Sequence, residues 1–185
     1  MTSHLFLFGL LLATCLLALG SDPSPLQDFC VADLNSKVLV NGFVCKDPKV
    51  VKAEDFLFRG LHRMNNDGSN VTMTIVGVTQ LPGLNTLGIS MARVDFAPGG
   101  ILSPHSHPRA SEIVTVIEGS LQVGFVTSDP ENSNITTILQ KGDVFVIPEG
   151  LIHFLKNVGN GYVFIIAALS SQNPGDVSIS NDLIS

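Results

Sequence analysis

The sequence has few basic residues and no cluster of them. Ten lysines and arginines stand against 16 aspartates and glutamates, which gives a formal net charge of −6 at pH 7. Proteins bind nucleic acids and anionic membranes mainly through clustered positive charge. The composition therefore argues against both as partners.

Long apolar runs are also scarce, and the one that stands out lies at the start of the chain. The run from Leu5 to Leu19 is short for a membrane span, and Ala18 and Gly20 provide the small residues of a cleavage site. The basic residues that usually precede such a run are missing, so an uncleaved anchor is the alternative. We predict a signal peptide at residues 1–20, no membrane span in the remainder, and secretion to the extracellular space.

Cysteine is limited to three residues. Cys15 lies in the predicted signal peptide, so Cys30 and Cys45 remain in the mature chain. Metal-binding thiolates are the weaker interpretation because the pair has neither CxxC spacing nor a neighbouring histidine. A disulfide is the favoured interpretation in an oxidising compartment, and closing this loop contributes about 3 kcal/mol in the chain-entropy model. Two sequons, at Asn70 and Asn134, are candidate glycosylation sites in such a compartment.

Helical periodicity with recognisable caps is missing after the signal peptide, and short β-rich runs separated by turn residues take its place. Residues 21–63 are rich in proline and turn residues and predict an irregular N-terminal arm that contains the disulfide. The β-rich runs that follow are 71–80, 87–96, 111–119, 121–127, 135–140, 143–148, 151–158 and 162–169. This spacing favours an antiparallel sandwich or barrel. We predict one all-β domain at residues 64–175 and a short polar tail at residues 176–185.

The segment PHSHPRASE contains three candidate metal ligands. His105 and His107 are two residues apart and would share a face of a strand, and Glu112 opens the next predicted strand. His153 lies in a later strand. Three imidazoles and a carboxylate without thiolate suit manganese, iron or zinc. On spacing alone, solvated histidines at positions 105 and 107 and a structural histidine at position 153 are the alternative.

The wider spacing resembles the two motifs of the cupin superfamily. The first motif is matched by Gly99, His105, His107, Glu112 and Gly119, and the second by Gly142, Pro148, Gly150, His153 and Asn157. The strings SDPSPLQDFCVAD, LNTLGIS, RVDFAPGG and SQNPG narrow the resemblance to plant germin-like proteins. The resemblance covers nearly the whole chain after the predicted signal peptide.

That resemblance implies a single jelly-roll β-barrel with a metal, usually manganese, held by His105, His107, Glu112 and His153. It also implies the Cys30–Cys45 disulfide, a place in the apoplast or cell wall, a role in defence, and assembly into trimers or hexamers. Germin-like chains usually continue past SQNPG into a C-terminal helical segment that contacts neighbouring subunits. This chain instead continues as DVSISNDLIS, so we expect that helical segment to be truncated and the homo-oligomer to lose part of its interface.

The resemblance implies two activities, of which one is disfavoured. Oxalate-oxidising members carry two asparagines near the metal, and the aligned positions here are Ala92 and Leu102. Each missing hydrogen bond would cost a bound dicarboxylate about 1–3 kcal/mol. We therefore expect manganese-dependent superoxide dismutation on a small anionic or oxygen-derived substrate rather than oxalate oxidation. A non-enzymatic metal-binding protein of the wall, or a receptor, is the alternative.

Overall fold

The computed structural model describes residues 26–39, 42–64 and 68–179. The predicted signal peptide lies outside these ranges, as do the last six residues of the predicted polar tail. Within the described ranges, no helix is both long enough and apolar enough to cross a membrane.

Strands dominate the described residues, as the sequence predicts. The ten strands are β1 (Val71–Val76), β2 (Ser90–Phe96), β3 (Ile101–Ser106), β4 (Glu112–Glu118), β5 (Ser120–Val126), β6 (Asn134–Gln140), β7 (Val144–Ile147), β8 (Ile152–Asn157), β9 (Val163–Leu169) and β10 (Val177–Ser178). The helices in this part of the chain are three short 3₁₀ turns, Pro48–Val50, Ala53–Phe56 and Pro82–Leu84. The all-β prediction is confirmed.

The strands form two five-stranded antiparallel sheets. The first has the order β1-β2-β9-β4-β7, and the second has the order β10-β3-β8-β5-β6. Consecutive strands such as β2 and β3, or β8 and β9, lie in different sheets, so the chain crosses repeatedly from one layer to the other. This is the jelly-roll arrangement expected from the sequence.

Inward-facing side chains of both sheets form one hydrophobic core. Strand β9 shows the two-residue period clearly, because Val163, Ile165, Ala167 and Leu169 are buried while the residues between them are only partly buried. Burial of each Val, Leu or Ile side chain stabilises the fold by about 1.5–3 kcal/mol. The largest fully buried side chains of the core include Phe96, Leu121, Ile147, Leu155 and Ile165.

Eight of these strands overlap the predicted β-rich runs, whereas β3 and β10 do not. In β3, a register shift separates Leu102 from His105, and Pro104 lies within that irregular stretch. Proline cannot donate a backbone hydrogen bond, and its presence hides the strand from pattern analysis. Strand β10 consists of two residues of the predicted tail, which pair with His105 and Ser106 of β3.

The N-terminal arm is irregular in its described part and is held by both covalent and polar contacts. Cys30 and Cys45 form the predicted disulfide, with an S–S distance of 2.05 Å. The fully buried Asn85 donates a hydrogen bond of 2.8 Å to the carbonyl oxygen of Phe43. These contacts place the loop around Phe43 beside the first sheet.

A buried arginine ties the arm to the outer face of the same sheet. Arg93 lies on β2, on the opposite face from the core residues Ala92 and Val94. It donates two hydrogen bonds to Asp95, at 2.8 and 2.6 Å, and one of 3.1 Å to the carbonyl oxygen of Leu61. Because both charged groups are buried and paired, the loss of one partner would be costly.

Both sequon asparagines occupy exposed positions. Asn70 immediately precedes β1, and Asn134 is the first residue of β6. Glycosylation of either residue remains a prediction.

Candidate metal centre

Strands from both sheets bring the four predicted ligands together. His105 lies on β3 and pairs with His153 on the adjacent strand β8. His107 follows the end of β3, and Glu112 is the first residue of β4 in the opposite sheet. The site therefore spans the gap between the two layers, at one end of the core.

The side chains converge on a single point. One ring nitrogen from each of the three histidines lies within 4.8 Å of the other two. The Glu112 Oε2 atom is 3.4 Å from His107 Nε2 and 3.3 Å from His153 Nε2. His105, Glu112 and His153 are buried, with 4%, 6% and 1% of their surface exposed, and His107 is partly buried.

Backbone carbonyls fix the tautomer of all three neutral imidazoles. The Nδ1 atoms of His105, His107 and His153 lie 2.8, 2.6 and 3.0 Å from the carbonyl oxygens of Ser103, Gly175 and Leu151, respectively. A carbonyl oxygen can only accept a hydrogen bond, so each Nδ1 carries the proton and donates it. Each Nε2 is then left with its lone pair free, which is the form that binds a metal ion.

Two buried atoms at the convergence point have no hydrogen-bond partner among the described residues. They are Glu112 Oε2 and His153 Nε2. They lie 3.3 Å apart, but in this tautomer both are acceptors, so their proximity is not a hydrogen bond. An unpaired buried polar group costs about 1–3 kcal/mol, and a cation placed between the two atoms would remove that cost. The residues present therefore fit a metal ion bound by nitrogen and oxygen donors.

The protonation states of the metal-free site follow from the same contacts. Burial raises the pKa of Glu112, but its interactions with His107 and His153 outweigh burial and lower the pKa to about 2. Burial, together with the neighbouring His153, lowers the pKa of His105 below its usual 6.5. Burial acts in the same direction on His107, but Glu112 and the Gly175 carbonyl oxygen raise its pKa above 6.5 overall. At neutral pH the carboxylate is ionised, and His107 is more easily protonated than His105.

A cavity of about 510 Å³ adjoins the site. His105, His107 and Glu112 are among the residues that line it, whereas His153 does not line it and is almost fully buried. Ala92 and Leu102, the positions at which the sequence predicts lost polar contacts, also line this cavity. The walls near the site are therefore apolar at both positions.

Comparison with known proteins identifies the family. Residues 57–185 match the Cupin family model. Over 186 aligned residues the chain is 59% identical to Germin-like protein 8-2 of Oryza sativa subsp. japonica, covering 94% of this chain and 83% of that protein. Germin-like protein 8-10 of the same organism is 59% identical over 169 residues, which cover 89% and 75% of the two chains. This chain is a germin-like member of the cupin family.

Solved structures agree with this assignment. An oxalate oxidase structure has a TM-score of 0.81 and 46% identity, and the match covers 86% of this chain and 81% of that one. Peruvianin-I, a cysteine peptidase from Thevetia peruviana latex, has a TM-score of 0.81 and 40% identity, over 86% of this chain and 99% of that one. The family and the jelly-roll fold predicted from the sequence are thereby confirmed.

The backbone groups that orient the predicted ligands were not found from the sequence. The carbonyl oxygen of Gly175 holds His107 from 68 residues further along the chain. Arg109 donates to the carbonyl oxygen of Asn173 at 2.9 Å and fastens the same segment. Gly175 and Asn173 belong to the string SQNPG, which was a signal of the family but not of this contact.

Proposed function

We propose that this germin-like protein binds manganese through His105, His107, Glu112 and His153 and acts on superoxide. The convergence of three Nε2 lone pairs with an unpaired buried carboxylate oxygen supports this proposal most directly. Manganese is preferred for its fit to nitrogen and oxygen donors, with iron and zinc as the alternatives. When bound, manganese would supply a couple that exchanges one electron at a time.

The residues of the chain suit a small, singly charged substrate. In dismutation, two superoxide ions and two protons give one dioxygen and one hydrogen peroxide, so both the charge and the electrons balance. Three neutral imidazoles and one carboxylate leave a divalent ion with a net charge of +1, which attracts a monoanion. Protons reach the site from solvent through the cavity that His105 and His107 line.

Oxalate oxidation and thiol proteolysis are less well supported, although structural relatives carry those names. Ala92 and Leu102 offer oxalate no side-chain hydrogen bonds in the cavity wall. Each unmade bond would cost about 1–3 kcal/mol. Cys30 and Cys45, the cysteines within the described residues, are joined in a disulfide and provide no free thiol.

We also propose secretion to the apoplast or cell wall, a role in defence, and assembly into a homo-oligomer. Partly exposed apolar side chains on the first sheet support the assembly, among them Ile113, Val144 and Val146, which are 48%, 57% and 59% exposed. Exposed apolar patches are characteristic of interaction surfaces. Sedimentation velocity of the secreted protein tests the proposal, and a monomer at all concentrations would contradict it.

Metal analysis combined with two activity assays tests the function. The secreted protein is purified, its bound metals are quantified, and superoxide dismutation and peroxide release from oxalate are measured on one preparation. We expect bound manganese and dismutase activity, both lost in His107→Ala and both retained in the matched control His62→Ala, whose residue is exposed on the arm. Dismutation that persists without metal would contradict the proposal. Bound manganese without turnover would instead identify a non-enzymatic metal-binding protein.

A further inference from the structure

His107 differs from the other two predicted histidine ligands in how its ring is held. His105 and His153 are oriented by carbonyl oxygens that lie two residues before them in the chain. The ring of His107 is instead oriented by the carbonyl oxygen of Gly175, which is 68 residues away. His107 also follows the end of β3 and is less buried than the other two. Its orientation therefore depends on the contacts that fix Gly175.

Two acceptors compete for the ring proton of His107. The Gly175 carbonyl oxygen lies 2.6 Å from Nδ1, and Glu112 Oε2 lies 3.4 Å from Nε2. The shorter contact keeps the proton on Nδ1. If the carbonyl moved away, the carboxylate would draw the proton to Nε2, and a protonated Nε2 has no lone pair for a metal ion. The position of this carbonyl therefore decides whether the imidazole is ready to bind.

Arg109 fixes the residues that precede Gly175. Its guanidinium donates through Nε to the carbonyl oxygen of Asn173 at 2.9 Å and through Nη2 to the side-chain oxygen of Asn173 at 3.3 Å. Its backbone nitrogen donates to the carbonyl oxygen of Pro174 at 3.1 Å. One residue thus supplies three hydrogen bonds to the two positions immediately before Gly175.

Gly175 also packs directly against the same guanidinium. Its φ is +71°, a conformation that glycine adopts without strain. A β-carbon at this position would lie 2.8 Å from Arg109 Nη2 and 3.1 Å from Pro108 Cγ. The lack of a side chain therefore lets the guanidinium cover the peptide whose carbonyl oxygen faces His107.

Charge does not explain a guanidinium at this place. Arg109 is exposed and lies two residues from a predicted ligand, where its positive charge opposes the binding of a metal cation. None of the four predicted ligands is among the hydrogen-bond partners of its side chain on the described residues. Its contacts point instead to a geometric role.

We propose that Arg109 is a positioning residue of the metal centre. By fixing residues 173–175 it holds the Gly175 carbonyl oxygen against His107 and keeps the Nε2 lone pair of that imidazole free for the metal. The consequence for metal binding rests on the proposed metal site, but neither it nor the effect on His107 requires that the protein dismutes superoxide.

The tautomer of each histidine tests the inference directly. Proton–nitrogen correlation spectra of the metal-free protein, recorded in alkaline buffer where the imidazoles are neutral, show which ring nitrogen carries the proton. In the wild type we expect Nδ1 for all three. In Arg109→Ala, His107 should shift toward protonation of Nε2, whereas His105 and His153 should stay unchanged because their carbonyl partners lie elsewhere.

Equilibrium dialysis with manganese measures the consequence for binding. Arg109→Ala should lower the affinity about tenfold, the smaller of the effects typical of losing a partner of a metal ligand. Arg109→Lys keeps the charge but cannot place two donors on Asn173, so it should lower the affinity nearly as much. Lys141→Ala removes the same charge from the exposed turn between β6 and β7 and should leave the affinity unchanged. Tighter binding in Arg109→Ala would show that charge dominates and would overturn the inference.

Gly175→Ala tests whether both residues act through one carbonyl oxygen. The added β-carbon would push against the guanidinium and displace the same peptide, so the affinity should again fall. The double variant with Arg109→Ala should lose no more than the weaker-binding single variant, because the two changes share one route. Gly99→Ala controls for backbone strain, since its φ is +72° and its β-carbon would have free space.

The possible failures are distinguishable. Lack of bound metal in the wild type contradicts the proposed function, and the tautomer of His107 in the metal-free protein still tests Arg109. An unchanged tautomer in Arg109→Ala, or an equal change at all three histidines, overturns the positioning role even if manganese binds. Asn173→Ala removes one acceptor of the guanidinium and repeats both measurements with a smaller expected effect if Arg109→Ala does not fold.

Discussion

Two buried polar regions at opposite ends of the core differ in how their hydrogen bonds are satisfied. At one end, the side chain of Asn157 is 1% exposed and all its hydrogen-bonding groups are occupied. Its amide nitrogen donates to the carbonyl oxygens of Phe96, Ala97 and Gly161, and its amide oxygen accepts from the backbone nitrogen of Gly159. At the other end, Glu112 and His153 are also buried, with 6% and 1% of their surface exposed, and each keeps an unpaired atom.

The difference separates a polar residue with satisfied hydrogen-bonding groups from two predicted ligands that keep unpaired atoms, although all three belong to the predicted cupin motifs. Asn157 fastens the turn that follows β8 to the end of β2, and it has no capacity left for a ligand. Glu112 and His153 retain acceptors that only an added cation or donor would satisfy. Burial alone does not distinguish the two regions; the hydrogen-bond inventory does.

The largest expected effect comes from removing the negative charge of Glu112. Glu112→Gln keeps the size of the side chain but replaces one carboxylate oxygen with an amide group that is a poor metal ligand. Manganese affinity should fall more than about a hundredfold, beyond what the loss of a supporting partner alone causes. Equilibrium dialysis measures it. Glu118→Gln, at the exposed end of the same strand, is the control.

The free energy of unfolding, measured with and without manganese, provides a second test of the Glu112→Gln variant. A ligand that binds only the folded state stabilises it in proportion to the logarithm of its concentration over its Kd. The difference in unfolding free energy between the metal-loaded and metal-free forms should therefore collapse in Glu112→Gln. A full metal contribution to stability in that variant would show that the carboxylate is not a ligand.

Substitution of Asn157, at the other end of the core, should lower stability without changing metal binding. The two N–H groups of the Asn157 amide are shared among three carbonyl oxygens and its amide oxygen accepts one bond, which amounts to about three hydrogen bonds. Asn157→Ala should therefore lower the free energy of unfolding by about 3 kcal/mol. The loss should be equal with and without manganese, because the metal centre is left intact. Denaturant unfolding of both forms measures it, and a loss confined to the metal-loaded form would contradict the structural role.

Acidification should weaken manganese binding at the candidate site. Metal binding requires neutral imidazoles. Burial lowers the pKa of His107, but Glu112 and the Gly175 carbonyl oxygen together outweigh burial and raise this pKa above 6.5. As the pH falls below this pKa, a proton competes with the metal, and the apparent affinity should fall about tenfold per pH unit. Manganese retention after dialysis across mildly acidic buffers measures the slope, and a pH-independent affinity would contradict it.

The smallest effect on stability is expected for the solvent-exposed ion pair between Lys46 and Asp55. Lys46 donates to Asp55 at 2.8 Å on the arm, with the lysine side chain 36% exposed. Lys46→Ala should lower the free energy of unfolding by less than about 1 kcal/mol. Lys49→Ala, on the same arm, serves as the comparison in urea unfolding.

The pH dependence of that pair has a definite sign. The hydrogen bond from Lys46 lowers the pKa of Asp55 below 3.8. A lowered carboxyl pKa contributes stability above the unfolded-state value, and this contribution is lost as the pH falls through the folded-state value. The difference between wild type and Lys46→Ala should therefore vanish in strong acid. A difference that persists there would indicate a packing effect.

The sequence was most informative where side chains alternate regularly. Inward positions of β9, such as Val163 and Ile165, follow the two-residue period. The spacing around His105 and His153 predicted histidines that the structure brings close together. It was least informative where backbone groups act. Every residue has a backbone carbonyl oxygen, so the identity of residue 175 does not reveal that its carbonyl oxygen orients His107. The unpaired hydroxyl of Ser90 also depends on tertiary packing, because only the surroundings decide whether a buried hydroxyl finds a partner.

The contact between His107 and the Gly175 carbonyl has a consequence for the order of folding events. The two residues are 68 positions apart, and β10, which follows Gly175, pairs with β3 at His105. The segment after β9 must therefore reach β3 before the Gly175 carbonyl oxygen can hold His107 in the orientation described above. Contacts between such distant residues form late, because the loop that they close is long. We therefore expect metal binding through His107 to begin only after β10 has paired with β3.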